Sequence, residues 1–303
     1  MWLQLQIFGF RALWSPYFLT FILVLALAYF LMTRVFAHKF LKEEKLTWKQ
    51  EAFFYGGLAL LYIVKGSPID LLSHIMMSAH MIQTATLYFI VAIFFIRGIP
   101  AEWWESLINL KGVRPFYKFF TFPLISLALF NSLFAIYHLP MIFDFTKANQ
   151  FVHSSTTIVL FILAIIMWWP VVTPVESEDK LNPLIKMGYL IGSILMISVA
   201  CALMIFSSAP LYDSYRSASG WMQAMALCVP GDVLTGISDQ LNGVEMFSPL
   251  SVLEDQQLGG IVMMLYQQLI YGFVLAYIFF SWFTEKSLQT DPMPEREDLP
   301  YIK

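Results

Sequence analysis

Apolar runs of about 20 residues recur along the whole chain, and nothing else in the sequence restricts its fold as much. Inside hydrocarbon each backbone N–H and C=O must be bonded without help from water. Runs of this length, with no period-two alternation, therefore read as membrane-crossing helices. With 58% apolar and 13% charged residues the composition agrees, and the chain reads as an all-α polytopic membrane protein. Seven candidate spans follow, at about 16–36, 51–65, 72–96, 118–138, 151–169, 184–208 and 257–283. The first exceeds a signal-peptide core and lacks a small-x-small cleavage site, so it reads as a retained span.

Basic residues orient the bundle. Of the 18 Lys and Arg, 14 fall after spans one, three and five or in the C-terminal tail; Arg11, Lys65, Lys147 and Arg216 lie elsewhere. The positive-inside rule then predicts a seven-transmembrane-helix bundle with its N-terminus outside and its C-terminus in the cytoplasm. Residues 1–289 read as one transmembrane domain with a long outer loop at about 209–256, in which Trp221 to Val229 suggests a short interfacial helix. The segment 290–303 reads as a disordered cytoplasmic tail. A net charge of −3 and the lack of a basic, aromatic-rich cluster argue against a nucleic-acid partner, and Cys201 and Cys228 form no CxxC motif.

Asp70, His74, Met77, Met81 and Thr84 follow one another at helical spacing in span three, and so share a stripe, with Ser73 and His80 on its flank. Imidazole nitrogens and thioether sulfurs on one buried face suit copper, particularly the reduced ion. The predicted topology sends four of the five histidines, His74, His80, His138 and His153, to the outer ends of spans three, four and five. Span seven brings Asp255, Gln256, Gly259, Gly260 and Met263 to the same end. Ionisable groups at membrane depth are costly and usually mark a site. Each also has a plainer reading. Asp255 suits a helix N-terminus, Gly259-Gly260 a packing notch, Cys201 an apolar core and His38 the membrane interface.

Longer blocks carry a family resemblance. They are Ser67-Pro68-Ile-Asp70 through Ala79-His80-Met81-Ile-Gln83, then His138-x-Pro140, then His153 ahead of Trp168-Trp169-Pro170, and last Ser248-Pro249 through Gly259-Gly260-Ile-Val-Met263. In this order they resemble the CtaG family of bacterial cytochrome c oxidase assembly factors. The resemblance implies a multi-pass protein of the bacterial cytoplasmic membrane, needed for active caa-type oxidase. It implies as partners the oxidase subunits and other copper chaperones besides the lipid bilayer, and copper as what is handled. It points to His80, His138, His153 and Asp255. Family members often carry further histidines where this chain has Thr84 and Thr157, and His74 is a candidate replacement.

The mechanism expected is transient copper handling. His80, His138 and His153 would be the nitrogen donors, His74, Met77 and Met81 a soft approach path, and Asp255 would orient a histidine or bind directly. A copper transporter would use the same residues but continue its polar stripe through the bundle, where Gln267 and Tyr271 lie. A scaffold would instead grip an oxidase subunit through the outer loop. No nucleophile–base pair, phosphate loop or zinc-protease motif suggests an enzyme.

Overall fold

The computed structural model describes residues 2–41, 46–175, 181–237 and 246–290. The described chain is all-helical, with no strand. Of the expected tail at 290–303, residues 291–303 lie outside the described residues, as do Lys42, Lys45 and Lys180 of the basic loops.

Five helices are each long and apolar enough to cross a membrane, and two bent pairs raise the number of candidate spans to seven. The N-terminal span contains α1 (Gly9–Trp14) and α2 (Pro16–Phe30), joined at Ser15, whose φ of 34° is left-handed. Next come α3 (Trp48–Gly66) and α4 (Pro68–Ile75), bent by 46° at Ser67. After α5 (Met77–Gly98), the helices α6 (Val113–Phe120) and α7 (Pro123–Tyr137) meet at 77°. Short α8 (Pro140–Lys147) leads to α9 (Gln150–Val172) and α10 (Pro183–Ile205). In the loop after α10 stands α11 (Ala218–Met225), and α12 (Val252–Thr290) closes the bundle.

Two expected spans are corrected. Span three does not begin at 72, because Met76 is extended (φ −131°, ψ 139°) and separates α4 from α5. Asp70 and His74 therefore do not continue the stripe of Met77, Met81 and Thr84. Span four is not one helix from 118 to 138. Phe122 precedes Pro123, whose ring disfavours helical backbone at the residue before it, and the chain turns there.

Close packing holds the spans together. α12 lies chiefly against α10 and α5. A Cβ on Gly260 would stand 2.8 Å from Ile205 Cγ1 and 3.1 Å from the Cys201 carbonyl; one on Gly259 would meet Met77 at 3.1 Å. The glycine pair is thus a packing notch. Thr86–Val91 is a π-helical turn, and the Trp168 indole donates to the Tyr88 carbonyl within it at 3.1 Å.

A second apolar cluster caps one end. Leu5, Phe8 and Leu13 of the N-terminal segment pack with Leu71 and Ile75 of α4 and with Trp221 and Met225 of α11. Trp221 is buried, so α11, the short helix expected near 221–229, packs into this cap. Its effect is to roof the end of the bundle to which the four histidines converge.

Candidate functional site

Four histidines from four elements meet beneath that cap. His74 ends α4, His80 lies one turn into α5, His138 follows α7, and His153 lies one turn into α9. They form two pairs. The His80 and His138 ring centroids are 6.0 Å apart, and those of His74 and His153 are 5.3 Å apart. Phe143 of α8 packs edge-on against His80 at 5.1 Å and lies 6.2 Å from His138.

The hydrogen bonds define which nitrogens are available. His138 Nδ1 stands 2.8 Å from the Phe134 carbonyl. A carbonyl can only accept, so this nitrogen carries the proton and Nε2 keeps its lone pair. His138 Nε2, both ring nitrogens of His80 and His153 Nδ1 are buried with no hydrogen-bond partner among the described residues. Orphaned polar atoms are rare in folded interiors and call for an explanation.

Sequence reasoning missed the cation at the centre. Lys147, last residue of α8, is 1% exposed, and its Nζ lies 3.1 Å from His74 Nδ1 and 3.4 Å from the Ser73 carbonyl. It also sits over the rings of Phe143 and Tyr215, at 5.6 and 5.9 Å from their centroids. Burial, with the nearby Lys65 ammonium, pushes the Lys147 amine down to about 7, although Asp70 opposes this. Tyr215 is fixed in turn: its hydroxyl donates to the Ser73 carbonyl at 2.7 Å, and Asp144 accepts from the backbone N–H groups of Asp213 and Ser214 just before it. A lysine between two apolar spans reads as a solvated loop residue. Only its spacing of four from Phe143 on one helix face hinted otherwise.

The remaining predicted residues are placed differently. Asp255 accepts from Met77 N at 2.6 Å, from Ser78 N at 3.4 Å and from the Ser78 hydroxyl. It caps the N-terminus of α5 from across the bundle. Met77 packs on Gly259 and Met81 is fully buried in the main core. Asp70 pairs with Lys65 at 2.5 Å and accepts from Gln83 at 2.7 Å. Thr84 and Thr157 each donate to the carbonyl four residues back, of His80 and His153 respectively.

The Cytochrome c oxidase caa3 assembly factor family (Caa3_CtaG) matches residues 10–285 of this sequence. The chain belongs to this family. No curated protein and no solved structure matches it. In this Caa3_CtaG protein no three His, Cys, Asp or Glu residues among those described stand close enough to hold a metal ion together. The arrangement offers pairs of donors instead. A cavity of about 450 Å³ is lined by Arg11, Tyr17, Gln150, Cys228 and Pro230; none of the four histidines lines it, and Gln150 stands one turn before His153.

Proposed function

We propose that this Caa3_CtaG protein is a non-catalytic assembly factor that handles reduced copper, as cargo, on its way to a cytochrome c oxidase subunit. The paired histidines are the relay. The observation that carries this reading is the set of orphaned imidazole nitrogens on His80, His138 and His153, buried where solvation cannot satisfy them. A soft monovalent ion needs few donors, so pairs suit transfer better than a closed cage would. Residues 1–289 act as one transmembrane domain in the bacterial cytoplasmic membrane. The N-terminus faces outward, so that the histidine end opens where copper centres are loaded. This orientation rests on the bias of 14 among 18 basic residues.

The expected result of His80→Ala or His138→Ala is an inserted, folded protein and loss of oxidase assembly, read by haem–copper spectra and oxidase activity of membranes. Normal assembly in both variants contradicts the relay.

One observation favours transport as a second reading. The polar stripe continues below the histidines. Ser193 donates to Asn131 at 3.0 Å and lies 3.1 Å from the Tyr271 hydroxyl, Gln267 reaches the Ser193 carbonyl, and Ser126 and Tyr189 follow at 3.1 Å. Copper accumulation in vesicles, in step with the amount of protein, would favour that reading.

A further inference from the structure

The 77° bend between α6 and α7 sets α6 almost at right angles to a membrane-crossing helix, which is the attitude of a helix lying along the bilayer surface. Its sequence divides accordingly. At 100° per residue Arg114 and Lys118 are about 40° apart on one side, while Phe116 and Phe119 are about 60° apart on the opposite side. Lys111 adds a third cation in the turn before α6, where Gly112 supplies the positive φ of 97° that starts the helix. All three basic side chains are exposed, and none forms an ion pair among the described residues. No acidic residue occurs between Glu105 and Asp144.

The apolar side is exposed as well. Phe116, Phe119 and Phe122 are 65%, 57% and 53% exposed. The helix is not loose, however. Tyr117 accepts a hydrogen bond from the Trp169 indole at 2.8 Å, and the Tyr117 and Trp169 rings meet edge-on, which ties α6 to the end of α9. Tryptophans at such a level are typical of the membrane–water interface.

We propose that α6 and its preceding turn form a binding surface for anionic phospholipid headgroups. Lys111, Arg114 and Lys118 contact the phosphates, and the phenylalanines enter the acyl region beneath. A soluble acidic partner would match the charge but would leave three phenylalanines uncovered; a lipid satisfies both sides at once. The length of α7 separates this surface from His138, and the proposal does not depend on what the histidine pairs handle.

The test uses the full chain in detergent, offered equal amounts of phosphatidylglycerol and phosphatidylcholine, with retained lipid counted by native mass spectrometry. The wild type should favour phosphatidylglycerol about tenfold. The triple variant K111Q/R114Q/K118Q should lose that preference, whereas K39Q/K49Q, on another basic loop, should keep it. All five positions are exposed, so folding is not at stake. No preference in the wild type, a preference surviving in the triple variant, or an equal loss in K39Q/K49Q would each overturn the proposal.

Discussion

Replacing Lys147 with methionine should stabilise the protein and, under the proposed relay, strengthen its binding of reduced copper. In the native fold the Lys147 ammonium has no carboxylate in contact among the described residues. Its partners are His74 Nδ1, the Ser73 carbonyl and two ring faces. Methionine keeps the length and apolar stem but removes an amine whose charged form is costly to bury without a carboxylate partner. The gain depends on pH in a definite direction. Lysine ordinarily titrates at 10.5 and is lowered to about 7 here. Between those values the unfolded chain binds the proton and the native chain does not, so wild-type stability rises with pH across that window. Below about pH 7 the burial penalty is felt in full. Lys147→Met should therefore exceed the wild type most at pH 6 and match it near pH 10.5, as measured by thermal unfolding in detergent. The same ammonium repels a metal cation among the histidines, so copper affinity should rise about tenfold or more in the variant at neutral pH. A destabilised variant, or an advantage independent of pH, would contradict this placement of Lys147.

Asp255→Ala should be among the most damaging single changes, and Asp255→Asn nearly harmless. The carboxylate is 3% exposed and satisfies the first backbone donors of α5. Alanine leaves those donors buried and unpaired, at a cost of about 2 to 3 kcal/mol. It also frees the joint at Met76, which sets α4 and His74 relative to α5 and His80. Asparagine caps helices about as well as aspartate and should hold the joint. Unfolding midpoints and oxidase assembly in the two variants distinguish this from direct coordination. A metal-binding Asp255 would show near-normal stability but lost copper in Asp255→Asn.

The contrast between Asp255 and Lys147 shows what the sequence made legible. Apolar length alone predicted a run of membrane-length helices, because hydrocarbon imposes helix on any such run, but it misplaced the start of span three and missed the bend in span four. The gathering of His74, His80, His138 and His153 followed from their places near span ends. The break at Met76 was not legible: its cap is supplied by Asp255, 178 positions away, and periodicity within residues 70–84 cannot register it. Nor was Lys147, whose burial depends on α8, α4 and the Tyr215 segment packing together under the cap. The turn into α7 did leave a local mark in Pro123, and the alternation of basic and aromatic residues in 113–120 is an amphipathic pattern that a span-length window absorbs.

Copper handling by the histidine pairs is tested most directly by metal analysis of the purified protein after loading under reducing conditions, beside the double variant H80A/H138A. Stoichiometric copper in the wild type, lost in the variant, is the expected result. Absence of copper from both, with the wild type folded and competent for oxidase assembly, would contradict the relay and leave the histidines as packing residues of a scaffold.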